Sequence, residues 1–133
     1  MRKVVVSVSL IFLFNACSHS SEILADCFHN FNLSTWHDLD GDRAWGKSES
    51  PLEGVEFHIN GQFASVLSDY PCISNEDGKC TIRTWTSGEC EPRAYKVTAI
   101  PPDSYQPTTP ASITISLTSI DFSREAQFGF ITF

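Results

Sequence analysis

Positive charge is scarce in this sequence and nowhere concentrated. Nine Lys and Arg face sixteen Asp and Glu in 133 residues, a formal charge of −7. With no Lys/Arg cluster to track a phosphate backbone, nucleic acid is not an expected partner, nor is an electrostatic role at a membrane surface. Catalytic signatures are missing as well: there is no G-x-S-x-G elbow, no H-E-x-x-H pair and no Gly-rich phosphate loop. The histidines His19, His29, His37 and His58 are scattered, and His37 reads as a solvated residue at a strand end. The expectation is therefore a protein that is not an enzyme. Beyond the first residues the pattern contains no amphipathic helix, no internal repeat and no low-complexity tract. No two cysteines stand at the C-x₂₋₄-C spacing of a zinc site.

What is present begins with a leader. Met1-Arg2-Lys3 is a short basic n-region, and Val4 to Phe14 is an apolar run of signal-peptide length. Such a run is too short to span a bilayer as a stable anchor. It ends in Phe14-Asn15-Ala16-Cys17, which resembles a bacterial lipobox, where cleavage before Cys precedes lipid attachment to its sulfur. The competing reading is an ordinary secretory signal followed by a coincidental Cys. Five cysteines is an odd number, and an unpaired thiol is unwelcome in an exported protein. Giving Cys17 to the lipid leaves an even set: Cys27, Cys72, Cys80 and Cys90. The expected organisation is a signal peptide over 1–16, a lipidated Cys17 with a polar tether over 17–30, and one domain over 31–133. This places the protein in the bacterial cell envelope, facing outside the cytoplasm and touching the membrane through its lipid alone. Loss of Arg2 and Lys3 brings the exported charge to about −9.

In an oxidising compartment the four remaining cysteines pair as two disulfides, each contributing about 2–4 kcal/mol. Three pairings are open to sequence reasoning. Cys72 and Cys80 flank a turn signal at Asp77-Gly78 that would bring them together as a hairpin. Cys80 and Cys90 sit at opposite ends of an extended stretch and meet only if the next loop folds back. The favoured set is Cys72–Cys80 with Cys27–Cys90.

The hydropathy pattern is β throughout. Val55, Phe57 and Ile59 alternate with Glu56 and His58, and Asn60-Gly61 then signals a hairpin into Phe63 to Leu67. Cys80 to Trp85, Tyr95 to Ile100 and Ile113 to Leu117 alternate in the same way, and Gln127 to Phe133 is aromatic and β-prone. With a first strand near Asn32 to His37, about seven short strands are expected, the picture of an antiparallel sandwich. Pro101 to Pro110 should run extended over the surface.

Between the first two expected strands lies Asp38-Leu39-Asp40-Gly41-Asp42-Arg43-Ala44-Trp45-Gly46-Lys47-Ser48-Glu49. Counting from Asp38, acids fall at positions 1, 3, 5 and 12, the oxygen-ligand spacing of an EF-hand-type calcium loop. Ala44 occupies position 7, where such loops offer a backbone carbonyl. The candidate ligands are thus Asp38, Asp40, Asp42, Ala44 and Glu49. Position 6, normally Gly for a sharp turn, is Arg43, and position 9, often a ligand, is Gly46. These departures point to the weak extracellular range, on the order of 10⁻⁴ to 10⁻³ M for Ca2+. A polar turn in which Asx side chains bond their own backbone remains the competing reading.

Several pieces then stand in a recognisable order: Trp36 to Asp42, Glu49, Pro51 to Val55, Glu76 to Lys79, Tyr95 to Val97, Pro101-Pro102, Tyr105, and Phe128-Gly129-Phe130. Together they resemble the B-type module of serine–aspartate-repeat surface adhesins, kin to collagen-adhesin B-type and carboxypeptidase regulatory-like domains, over about Asn32 to Phe130. The resemblance implies a seven-stranded, prealbumin-like (transthyretin/Ig-like) β-sandwich serving as a rigid surface spacer. It maps the family's calcium loop onto Asp38, Asp40, Asp42 and Glu49. Some relatives carry a Lys–Asn isopeptide bond, but the final strand here has no Asn, and the disulfides would brace the domain instead.

The expected function is surface display or adhesion to an extracytoplasmic protein. The alternative is carbohydrate binding to a surface glycan. Of Trp36, Trp45 and Trp85, Trp36 reads as core, while Trp45 in the acidic loop offers a face for stacking on a sugar ring. Two exposed coplanar Trp rings would favour sugar, and burial of all three would favour display.

Overall fold

The computed structural model describes residues 25–63 and 65–133. The leader, the lipidation site Cys17 and His19 lie outside the described residues. Alternation of apolar and polar side chains carries most of the described chain into nine strands, with no helix among the described residues. They are β1 (Cys27–His37), β2 (Glu56–Asn60), β3 (Ser65–Val66), β4 (Cys72–Ile73), β5 (Lys79–Thr86), β6 (Arg93–Ile100), β7 (Tyr105–Pro107), β8 (Ser112–Leu117) and β9 (Ser123–Thr132). One sheet has the order β3-β5-β1-β9-β7 and the other β4-β2-β6-β8, in a sandwich-like arrangement.

The two inner faces follow from the period-2 geometry of strands. β1 turns Cys27, His29, Phe31, Leu33 and Thr35 inward, and β5 turns in Cys80, Ile82, Thr84 and Thr86. Phe57, Tyr95 and Val97 face them from the four-stranded sheet, and the Phe57 and Phe128 rings meet with centroids 5.4 Å apart. Each large apolar side chain fully removed from water contributes about 1.5–3 kcal/mol. That burial holds the layers together.

Two disulfides reinforce them. Cys72–Cys80 spans a Cα–Cα distance of 6.1 Å, and Cys27–Cys90 spans 5.0 Å, the pairing that the turn signal favoured. The turn itself forms: the Gly78 N–H donates to the Asn75 carbonyl (2.8 Å) and the Asn75 N–H to the Lys79 carbonyl (3.0 Å). Yet β4 and β5 belong to different sheets, so Cys72–Cys80 ties one layer to the other rather than closing a ladder.

The architecture departs from expectation in four further places. There are nine described strands rather than seven, because β4 and β7 are two and three residues long and leave no periodic trace; the strand expected over Phe63 to Leu67 is present as the short β3. The sandwich is not wholly antiparallel: β1 and β9 pair in parallel from Asn30↔Ser123 to His37↔Phe130. Parallel neighbours need a long crossover, and here almost the whole domain is that crossover. The Asn60-Gly61 signal makes no hairpin. The chain crosses there from β2 in one sheet to β3 in the other, and Gly61 is required by packing, since a Cβ would lie 2.6 Å from Tyr95 Cδ1. Finally, β1 starts at Cys27 rather than Asn32. His29 and Phe31 are buried, which draws residues assigned to the tether into the strand. Within Pro101–Pro110, Tyr105–Pro107 pairs with β9 as an edge strand.

Candidate metal centre

The acidic loop leaves β1 at its C-terminal end and is pinned at both sides. The Asp38 N–H donates to the Phe130 carbonyl of β9 (2.8 Å), and the His37 N–H to the Ser50 carbonyl (2.9 Å). Trp36 and Pro51 form an isolated antiparallel bridge, and the Leu52 N–H returns to the Thr35 carbonyl (3.0 Å). Twelve residues therefore start and finish beside each other on the sheet. They fold inward around their own carboxylates.

Each carboxylate is oriented by backbone N–H groups of the same loop. Asp38 Oδ1 accepts from Gly41 (2.8 Å) and Oδ2 from Arg43 (3.1 Å). Asp40 Oδ1 accepts from Asp42 (3.1 Å), and Asp42 Oδ1 from Ala44 (2.8 Å). Glu49 Oε1 accepts from Leu39 (2.8 Å) and Oε2 from Gly46 (2.6 Å). The turning residues bear the cost of this path: Gly41 has φ 72°, and Arg43 has φ 68°, a left-handed conformation that glycine adopts far more easily.

The result is convergence. One carboxylate oxygen from each of Asp38, Asp40, Asp42 and Glu49 can be chosen so that all four lie within 4.8 Å of one another. Oxygens on opposite sides of a calcium ion bound at about 2.3–2.6 Å would be about 4.6–5.2 Å apart. The set therefore fits around one hard cation, and each oxygen that accepts an N–H retains a second lone pair. Asp38 is fully buried and Glu49 nearly so, while Asp40 and Asp42 are exposed, leaving the centre open on one side. Among the described residues, no Lys or Arg forms an ion pair with any of the four.

Burial by itself would raise the Asp38 pKa. The nearby Thr108 hydroxyl and the Arg43 and Gly41 N–H groups that donate to its oxygens outweigh it and hold the carboxyl below its ordinary value. Asp38 is thus held as the anion a metal needs. Ala44 contributes its N–H to Asp42 and so shapes the turn at the position whose carbonyl was the fifth expected ligand. A second cluster, Cys27, His29 and Cys90, is closed to metal because both sulfurs are joined in a disulfide.

None of the three tryptophans belongs to the inter-sheet core. Trp36 is buried, though not in the inter-sheet core as expected. It lies on the outer face of its sheet, because even-numbered residues of β1 point away from the core. Trp45 stacks on it, with centroids 5.8 Å apart and planes 9° apart, and its Nε1 donates to the Glu49 carbonyl (3.3 Å). Trp45 and Trp85 are half-buried, so the pair at the loop is coplanar but only its outer ring reaches solvent. His37 is not solvated: its half-buried ring packs edge-on to Tyr105 at 5.3 Å. The six N–H groups that aim the carboxylates carry no side-chain signal and could be inferred only from the turn-forming Asx spacing.

Neither a protein-family model nor a curated protein matches the chain.

Proposed function

We propose that this protein is a non-enzymatic cell-envelope lipoprotein whose β-sandwich carries a weak calcium centre and serves surface display or adhesion to another extracytoplasmic protein. The observation that carries the reading is the convergence of Asp38, Asp40, Asp42 and Glu49 at EF-hand spacing, held by backbone donors. Second-order donors of this kind orient metal ligands and tune their affinity. The finer assignment, a prealbumin-like module related to serine–aspartate-repeat B-type domains, draws its support from the ordered motifs between Asn32 and Phe130. The lipobox-like Phe14-Asn15-Ala16-Cys17 supports the anchor. The eleven residues of β1 separate Cys27 from the loop by about 33 Å. An anchor upstream of Cys27 would thus leave the metal end facing outward.

Calcium would stabilise the end of the sandwich rather than decide folding. Mass action contributes about 0.4 kcal/mol when free calcium equals Kd and about 1.4 kcal/mol at tenfold excess. For a domain of this size that excess corresponds to a Tm increase of about 5–8 °C. Thermal denaturation with millimolar calcium should show this rise in the parent protein and none in Asp40→Ala, an exposed position whose loss spares the core. A parent Tm indifferent to calcium would remove the metal from the account.

A further inference from the structure

The outer face of the five-stranded sheet is concave beside the acidic loop. A cavity of about 410 Å³ lies there, with Trp45 in its wall, within the roughly 300–1,000 Å³ range of small-molecule sites. Strand register builds its floor in two rungs. One aligns Lys79, Ser34 and Gln127 across β5, β1 and β9, and the next aligns Thr81, Asn32 and Glu125. The third rung pairs Trp36 with Gly129, where a Cβ would lie 2.7 Å from the Trp36 ring. The missing side chain makes room for that indole, and Trp45 stacks on it at the end of the trough.

We propose that this trough binds a neutral saccharide, with Trp45 supplying the stacking face. The floor offers hydroxyls and amides, and its one cation, Lys79, is balanced by one anion, Glu125. A phosphate ligand would require an excess of cations, which the floor does not have. An extended peptide would require an unpaired strand edge, whereas β5, β1 and β9 are the three inner strands of this sheet. A polyol with an apolar ring face meets both surfaces: hydroxyls to the floor and carbon-bound hydrogens to the indole. Rungs about 7 Å apart, across three strands spanning about 10 Å, suit one or two sugar rings.

The site is already organised. The Thr81 hydroxyl donates to Asn32 Oδ1 (3.1 Å), and Asn32 Nδ2 donates to the Ser123 hydroxyl (3.2 Å), which fixes the central amide. Among the described residues, the side chains of Ser34, Lys79, Glu125 and Gln127 have no hydrogen-bond partner, so their capacity is open to a ligand. Trp85 stands on the same face about 13 Å beyond Thr81 along β5, positioned for a longer glycan. No carboxylate of the metal centre lines the trough, so the proposal stands whether or not the loop binds calcium.

The test is titration of the full chain with chitobiose, cellobiose and maltose, in calcium and in EDTA, read by amide chemical shifts and tryptophan fluorescence. At least one disaccharide is expected to shift the amides of Ser34, Thr81 and Gln127 in the millimolar range. Trp45→Ala should weaken that binding by about tenfold or more, and Gln127→Ala by about threefold with an unchanged Tm. Gln127 is exposed, so the second variant keeps the test valid if the first loosens the loop. Binding in either ionic condition supports the trough. Silence of all three sugars up to about 50 mM, or binding that survives both variants, overturns it.

Discussion

Replacing Arg43 by Gly should stabilise the protein even without calcium. Arg43 is exposed, sits at φ 68°, and is the residue at the point where calcium loops normally turn on glycine. A side chain in this left-handed region costs about 1–2 kcal/mol. Against that gain, glycine adds about 0.4–1 kcal/mol of unfolded-state entropy to be lost on folding. The net expectation for Arg43→Gly is about 0.5–1 kcal/mol of stabilisation, or about 2–4 °C in Tm measured in EDTA. The substitution also removes a positive charge beside the centre. A guanidinium about 10 Å from a divalent ion repels it by about 0.8 kcal/mol in water, cut to about a third at physiological ionic strength. Calcium affinity should therefore rise about 1.5- to 4-fold, more at low salt than at high. Thermal denaturation and isothermal titration at two salt concentrations measure both quantities. A variant no more stable than the parent in EDTA would refute the strain argument. An unchanged affinity at low salt would refute the electrostatic one.

Other perturbations follow from the same structure. In the chain-entropy model, Cys27–Cys90, with a sequence separation of 63, contributes about 4 kcal/mol, and Cys72–Cys80, with a separation of 8, about 2.5 kcal/mol. Paired Cys-to-Ser variants compared by urea denaturation should show the larger loss for the first. Gly78→Ala should destabilise by more than about 2 kcal/mol, because φ is 67° and a Cβ would collide with the Thr35 carbonyl oxygen and lie 2.9 Å from Pro51 Cβ; an unaltered denaturation midpoint would contradict that packing. Burial, with Arg93 nearby, lowers the pKa of His29, whose Nδ1 sits 3.0 Å from the Tyr95 hydroxyl. The folded state then binds fewer protons than the unfolded one, so stability is full above about pH 6.5 and falls as pH drops from there towards the lower folded-state value. His29→Gln should flatten that part of a Tm-against-pH curve; a curve of the same slope would exclude His29 as its source.

Local patterns made the strand segments around Phe57, Ile82, Val97 and Ile115 readable, because which side of a strand a residue faces depends on its immediate neighbours alone. The carboxylate loop was readable for a similar reason: twelve consecutive residues contain both the carboxylates and the backbone that aims them. The disulfide pairing followed from a turn and from elimination, though not the fact that Cys72–Cys80 links two layers.

Strand partners belong to another class of information. Nothing near Cys27 or Ser123 announces that β1 and β9 lie side by side in parallel, since that contact closes only when the rest of the chain has folded between them. The short strands β4 and β7 exist because neighbouring strands offer free donors and acceptors, not because their own residues alternate. The burial of Trp36 on the outer face needed Gly129 from the far end of the chain and Trp45 from the loop. The sequence by itself thus determined an all-β body with a ring of carboxylates at one strand end, both consequences of short-range periodicity and spacing. The tertiary structure decided which strands touch and what the outer face of the central three presents, because adjacency across a sheet is set by residues dozens of positions apart.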